Sequence, residues 1–213
     1  MVEAVLFDLD GTLLDTAPDL IASTHEALRK QGFEPELERS LRAYVSGGAR
    51  GLVLGAKIPK LDEERAIADL LAHYRANISV LSTPFPGALK LLDALEARGV
   101  SWGIVTNKST ELTHALRVHQ PLLQRAKVLV CGDTLSVRKP DPKPLLLAAE
   151  QLGSKAQSTL YVGDDRRDMQ AAKAAGMPGV IALWGYLGDD PDPLAWPHSR
   201  AIRSLADFEQ HFW

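Results

Sequence analysis

The chain has 213 residues, 46% hydrophobic and 24% charged, with a formal net charge of -3. This length fits one substantial domain or a domain with an insertion, and the composition is that of a globular protein. With no basic block, no apolar run of membrane-spanning length and no signal-peptide pattern, we expect neither a nucleic-acid nor a membrane partner. The single cysteine, Cys131, excludes an intrachain disulfide and fits a reducing cytoplasm, where we expect the protein to act.

The first predicted element is a buried strand from Ala4 to Phe7 that runs directly into Asp8 and Asp10. Buried carboxylates are costly unless they are paired or bound to a metal. Two of them at the end of a core strand indicate a site, because open α/β sheets bind ligands there. On these residues alone, a strand followed by an Asp-Gly turn is an equally good interpretation.

From residue 17 to residue 82 the apolar spacing is helical. One helix is predicted after Thr16, a second around Leu37 and Tyr44, and a third after the capping residue Asp62. A glycine-rich loop is predicted at residues 46–51, between the second and third helices. We therefore expect a helical cap at residues 17–82, inserted into a core formed by residues 1–16 and 83–213.

Beyond residue 83, predicted strands and helices alternate. The strands are at 101–106, 127–131, 158–162 and 179–183, and the helices at 87–98, 109–118, 142–152 and 166–175. A last short strand is predicted at 201–202, before a terminal helix. This alternation predicts an α/β fold, a Rossmann-like parallel sheet with helices on both faces.

Chemically reactive residues follow four of these segments, at strand ends or before a helix. They are Asp8 and Asp10; Thr106 and Asn107; Lys139; and Asp164, Asp165 and Asp168. The carboxyl ends of parallel strands share one edge of a sheet, so these segments can converge. A carboxylate nucleophile, further acids that suit Mg²⁺, a hydroxyl, backbone N–H groups and a lysine together suit phosphoryl transfer.

The order and spacing of these segments resemble the haloacid dehalogenase superfamily over essentially the whole chain. The motifs are D-x-D-G-T at 8–12, T-N at 106–107, K-P at 139–140 and G-D-D-x-x-D at 163–168. The resemblance implies a nucleophile at Asp8, an acid/base at Asp10 and a charge-balancing Lys139. It implies phosphate binding by Thr106 and Asn107.

The backbone of Leu9 is a further candidate for phosphate binding. For Mg²⁺ the resemblance implies the Asp8 carboxylate, the Asp10 carbonyl and Asp164. Either Asp165 or Asp168 would support the metal indirectly, and the sequence leaves that choice open.

Dehalogenases of this superfamily lack the second acid of the first motif, so Asp10 favours a phosphatase acting on a small phosphorylated metabolite. The alternative enzyme is a phosphomutase of the same fold. The non-enzymatic alternatives are a phospho-accepting receiver domain and a non-catalytic binding protein. The chain resembles phosphoglycolate phosphatases and phosphatases of N-acetylmuramic acid 6-phosphate. Both substrates carry a carboxylate, and the predicted loop offers Ser46, Gly47, Gly48 and Arg50 to bind substrate. An ordinary turn with a solvated arginine is the other interpretation. We expect a monomer or a weak homodimer.

Overall fold

The computed structural model of the chain describes residues 2–34, 41–190 and 192–213. A parallel sheet has the strand order β5-β4-β1-β6-β7-β8. Its strands are β1 (Ala4–Phe7), β4 (Ser101–Val105), β5 (Val128–Val130), β6 (Thr159–Gly163), β7 (Gly179–Ala182) and β8 (Arg200–Ile202). The first strand therefore lies at the centre, paired in parallel with β4 on one side and β6 on the other.

Helices cover both faces of this sheet, as the alternating sequence pattern predicts. They are α4 (Ala88–Ala97), α5 (Thr110–His119), α6 (Lys143–Gln151), α7 (Arg166–Ala175) and the terminal α8 (Phe208–Phe212). Phe7 of β1 packs in one core with Leu116 of α5, whereas its neighbour Leu6 packs in the other with Leu145 of α6 and Met169 of α7. Successive strand residues thus point to opposite faces, and each face is buried. The predicted Rossmann-like α/β sheet is confirmed.

The helical segment is inserted between two short strands, β2 (Leu14–Asp15) and β3 (Thr83–Pro84), which pair antiparallel. It contains α1 (Ala17–Arg29), α2 (Gly48–Gly55) and α3 (Glu63–Ala76). The Asp19 carboxylate of α1 accepts hydrogen bonds from the backbone N–H groups of Leu81 and Ser82, which brings the two ends of the insertion together. The exact boundaries of the cap at 17 and 82 stay a prediction.

The prediction of a glycine-rich loop at residues 46–51 is wrong. A 3₁₀ helix spans Arg42–Gly47, and α2 starts at Gly48. Leu52 and Val53 of α2 are buried in the core, and their burial outweighs the low helix propensity of glycine. Leu37, in the predicted second helix, lies outside the described residues.

Two predicted helix caps are present. The side chain of Asp62 accepts from the N–H of Arg65, and that of Ser109 accepts from the N–H of Leu112. In the part of the chain that the structure describes, no helix combines the length and the apolar character needed to cross a membrane.

Candidate active site

A cavity of about 460 Å³ lies at the carboxyl ends of the central strands, beneath the helical insertion. Asp8 directly follows β1, Thr106 follows β4 and Asp164 follows β6, and the pairing of β1 with both neighbours brings the three strand ends to one edge. The core contributes Asp8, Asp10, Thr106, Asn107, Lys139 and Asp168 to the cavity lining, and the insertion contributes Ser46, Gly47, Gly48 and Tyr74.

Lys139 is the centre of the charged cluster. Its ammonium group lies 2.8 Å from Asp8 Oδ1 and 2.7 Å from Asp168 Oδ1, and it contacts the Val105 carbonyl oxygen at 2.9 Å and the Tyr161 hydroxyl at 2.7 Å. Burial disfavours the charged amine, but Asp168 and Asp8 outweigh it and hold the pKa of Lys139 above its usual value. The lysine is therefore charged at neutral pH.

Three carboxylates, from Asp8, Asp164 and Asp168, each place an oxygen within 4.8 Å of the others. Burial raises the pKa of Asp8 to about 7, although Lys139 opposes this change. Burial, with repulsion from Asp8 and Asp168, also raises the pKa of Asp164 well above its usual value. This crowding of buried anions fits a hard cation such as Mg²⁺, which prefers oxygen ligands and offsets their repulsion.

Asp165 and Asp168, between which the sequence leaves the choice of metal support open, have different surroundings. Asp168 belongs to the carboxylate cluster, and its other oxygen accepts from the N–H of Asp165. Asp165 instead caps α7 and is held by the Arg167 guanidinium at 2.7 and 2.9 Å. This geometry favours Asp168 as the acid of the carboxylate cluster.

Asp164 is held in place by two segments that are distant in sequence. Its carboxylate accepts from the Thr12 hydroxyl at 2.9 Å and from the Tyr186 N–H at 2.8 Å. Gly11 and Gly185 pack directly against it: a Cβ atom at either position would lie 2.2 Å from an Asp164 atom. Both positions therefore require glycine on steric grounds, and Gly11 also has a φ of +85°.

Asp10 contacts a lysine that the sequence prediction missed. Lys108 Nζ lies 2.9 Å from Asp10 Oδ1, which also accepts from the Thr16 hydroxyl. The Lys108 side chain is only 7% exposed, and its ammonium group lies 5.0 Å from the centre of the Tyr74 ring in α3. The signal was its place directly after Asn107, at the end of a strand already assigned to the site.

Two further predicted phosphate ligands, Thr106 and Asn107, line the cavity with their side chains partly engaged. Thr106 Oγ1 accepts from the Lys108 N–H at 3.1 Å. The Asn107 amide bridges the N–H and the carbonyl oxygen of Lys139 at 3.1 and 3.0 Å, and so joins two motifs. Leu9 has a fully buried side chain, so only its backbone is available to a ligand.

The structure places Arg50 on the exposed surface of α2, outside the cavity lining. Its predicted contact with a substrate carboxylate stays a prediction. Other cations occupy the lining, namely Arg75, Lys108, Arg138, Lys139 and Arg167.

The haloacid dehalogenase-like hydrolase family model matches residues 5–182. The chain is 46% identical to a phosphoglycolate phosphatase of Xylella fastidiosa, over 90% of this chain and 85% of the relative. It is 41% identical to an N-acetylmuramic acid 6-phosphate phosphatase of Pseudomonas aeruginosa, over 97% and 95%. The crystal structure of a predicted phosphoglycolate phosphatase from Haemophilus somnus has a TM-score of 0.87 at 25% identity and covers 100% of this chain and 98% of that one.

The chain belongs to the haloacid dehalogenase-like hydrolase family. This membership confirms the resemblance inferred from the four motifs. It is also consistent with the helical insertion after the first motif, which the structure shows directly.

Proposed function

We propose that the protein is a Mg²⁺-dependent phosphatase that hydrolyses a small phosphate monoester through a phosphoaspartyl intermediate on Asp8. The observation that carries this proposal is the buried cluster in which Lys139 contacts Asp8 and Asp168 and in which Asp164 lies beside Asp8. The curated relatives named above are phosphatases, which supports the same activity.

The chemistry follows from the positions of two carboxylates. Asp8 attacks phosphorus and forms an acyl phosphate while the bond to the leaving oxygen breaks, and Asp10 gives its proton to that oxygen. Asp10 then takes a proton from water as the water attacks the acyl phosphate, which releases phosphate and regenerates Asp8. Lys139, Thr106 and backbone N–H groups stabilise the phosphoryl oxygens.

The residues that would hold Mg²⁺ are Asp8 and Asp164, with the Asp10 carbonyl oxygen, while Asp168 supports them. When bound, the metal would reduce the repulsion between the anionic phosphate and the carboxylates. Asp168 is already paired with Lys139, so it contributes mainly by fixing the lysine and the end of α7.

The segment at residues 17–82 serves as the cap over this site. Polar contacts join it to the core around the cavity: the Arg167 guanidinium donates to the Ser46 carbonyl oxygen, Arg75 pairs with Glu111, and Tyr74 packs on Lys108. Contacts of this kind suit a cap that opens to admit substrate and release product.

The substrate proposed here is a phosphate monoester that carries a carboxylate. Phosphoglycolate and N-acetylmuramic acid 6-phosphate, the substrates named for the relatives, both have this feature. The cavity of about 460 Å³ falls in the ordinary range of small-molecule sites and accepts either compound.

The test is phosphate release from both substrates with and without Mg²⁺, in the wild type and in Asp8→Asn. We expect release only with the metal, and a loss of at least about 10³-fold in kcat for the variant. Asp189→Asn is the matched control, because Asp189 is exposed and lies outside the cavity lining.

Three outcomes would contradict this proposal. Full activity of Asp8→Asn would exclude the nucleophile. Stable phosphorylation of the wild type without turnover would favour a receiver-type role. Transfer within the substrate, with no free phosphate, would favour a phosphomutase.

A further inference from the structure

One cation in the cavity has no counter-ion among the residues that the structure describes. The other lining cations are paired, Arg75 with Glu111, Lys108 with Asp10, Lys139 with Asp8 and Asp168, and Arg167 with Asp165. Arg138 lines the same cavity and is exposed, and its guanidinium makes no ion pair or hydrogen bond with any described residue. The guanidinium of Arg138 therefore offers an unpaired positive charge to a ligand in the cavity.

The backbone of Arg138 is fixed although its side chain is not. Its carbonyl oxygen accepts from the N–H of Asp141 at 2.9 Å, and the next residue, Lys139, is bound through its N–H to Asn107. The Arg138 side chain is therefore attached to a fixed backbone position beside the charged cluster. Arginine presents donors in a planar fork that matches a carboxylate bidentately, which makes it the suitable side chain for this role.

A hydroxyl group of the cap is also unsatisfied. The Ser46 hydroxyl is buried and makes no hydrogen bond with the described residues, whereas the buried Tyr74 hydroxyl has the Lys108 ammonium group as its polar neighbour. Ser46 lines the cavity. Because buried polar atoms are nearly always paired in folded proteins, the Ser46 hydroxyl indicates a ligand with a hydrogen-bonding group beyond its phosphate.

The size of the cavity is compatible with this substrate class. A cavity of about 460 Å³ falls in the range of small-molecule sites and has room for a sugar ring that bears both a phosphate and a carboxylate.

We propose that Arg138 is a specificity-determining residue that binds a carboxylate on the leaving group, and that the substrate is a phosphorylated sugar acid whose other polar groups reach the Ser46 hydroxyl. This inference rests on the proposed phosphatase function and narrows its substrate class. It also assigns to Arg138 the role that the sequence predicts for Arg50.

A matched substrate pair tests the charge recognition. N-acetylmuramic acid 6-phosphate and N-acetylglucosamine 6-phosphate differ only by the lactyl group that carries the carboxylate. We expect the wild type to prefer the acid in kcat/KM, and Arg138→Gln to lower the acid-to-neutral ratio about tenfold to hundredfold. Arg50→Gln, on the exposed surface of α2, should keep the wild-type ratio.

The outcomes separate this inference from the proposed function. If the wild type releases phosphate from no ester, the proposed function itself is wrong. If it releases phosphate but Arg138→Gln keeps the wild-type ratio, only the role of Arg138 is wrong. A loss of the ratio in Arg50→Gln instead would return that role to Arg50.

Ser46→Ala tests the sugar part, because it removes the unsatisfied hydroxyl and keeps the backbone carbonyl oxygen that accepts from Arg167. We expect KM for N-acetylmuramic acid 6-phosphate to rise several-fold, and KM for phosphoglycolate to stay at the wild-type value. Equal rises for both substrates, or a wild-type preference for phosphoglycolate, would overturn the assignment to a sugar acid.

Discussion

Lys108 is the side chain that connects Asp10, the proposed acid/base, with the cap. Its ammonium group contacts Asp10 at 2.9 Å and lies over the ring of Tyr74, which belongs to α3. Burial disfavours its charge, but Asp10 and Tyr74 outweigh burial and hold the pKa of Lys108 above its usual value. A permanently charged group in this place fixes the direction of the Asp10 carboxylate.

Replacing this lysine should therefore affect proton transfer more than phosphate binding. For Lys108→Met, which keeps an unbranched apolar stem, we expect kcat on alkyl phosphates to fall about tenfold to hundredfold. The fall should be smaller on p-nitrophenyl phosphate, whose leaving group needs little protonation. Steady-state kinetics on both substrates measure this split, with Lys155→Met, an exposed lysine outside the cavity lining, as the control. Equal losses on the two substrates would show that Lys108 acts on binding or folding instead.

The residues that the sequence predicted best are those whose neighbours along the chain define them. Asp8 and Asp10 directly follow a run of buried apolar residues, and Asp164 follows another, so their place at a strand end could be predicted from local pattern alone. The local sequence could not distinguish Lys108 and Arg138 from ordinary cations on the solvent-exposed surface. Their importance depends on which side chains lie beside them in the folded protein, and residue spacing does not predict that.

At the scale of an element, the loop that follows β7 holds Asp164, a proposed metal ligand. Its Tyr186 N–H donates to Asp164, and its Trp184 indole N–H donates to the Thr12 carbonyl oxygen at 3.0 Å. The Tyr186 hydroxyl in turn accepts from the N–H groups of Thr16 and Ala17, where the chain enters the cap. This loop therefore links Asp164 to the start of α1.

Gly185 allows this loop to pack so closely, and its substitution should disturb the metal site first. An added Cβ would lie 2.2 Å from the Asp164 Cβ and 2.5 Å from the Gly11 carbonyl oxygen. We expect Gly185→Ala to lower the free energy of unfolding by about 1–3 kcal/mol and to weaken Mg²⁺ binding. Denaturant unfolding and Mg²⁺ titration measure the two effects.

Gly47→Ala is the control for stability, because nothing lies within 4 Å of a Cβ at that position and its φ is −75°. If Gly185→Ala binds Mg²⁺ as the wild type does, the contact with Asp164 is not what positions the metal ligand.

The element that the sequence predicted worst is α2. Three glycines at 47, 48 and 51 favour a loop on propensity, whereas Leu52 and Val53 are buried only because α1 and α3 provide a surface for them. That surface exists only after the insertion has folded. Helices with a cap and a continuous apolar stripe, such as α3, needed no such information and were predicted correctly.

At the scale of the whole molecule, the central place of β1 explains why a site forms at all. The strand order brings segments from residues 8–10, 106–108 and 164–168 to adjacent strand ends. These motifs are distant in sequence, so their proximity follows from the strand order and not from any local signal. The alternation of strands and helices predicts the fold class, and the carboxyl edge of the sheet as the ligand side. The cavity itself depends on how the cap lies over that edge.

The same concentration of acids should make stability depend jointly on pH and Mg²⁺. Burial raises the pKa of Asp8 to about 7 in the metal-free protein, and the pKa of Asp164 is raised as well. As neutral acids, these groups contribute fully to the stability of the folded protein below their pKa values in the unfolded chain, which are near 4. For Asp8 this contribution is lost as the pH rises through its folded pKa of about 7. Mg²⁺ binds the ionised carboxylates, so it competes with protons for them. At a pH where the carboxylates have lost their protons, bound Mg²⁺ restores the stability of the folded protein.

We therefore expect saturating Mg²⁺ to raise the melting temperature more at pH 8 than at pH 6. Differential scanning calorimetry at both pH values, with and without the metal, measures the difference. In Asp8→Asn the group that titrates near 7 is gone, so its Mg²⁺-dependent shift should be smaller and should vary less between the two pH values. Asp189→Asn, with the same chemical change on the exposed surface, should follow the wild type. A shift of equal size at pH 6 and pH 8 in the wild type would show that the ion does not bind at the Asp8 and Asp164 carboxylates, because binding there must displace their protons.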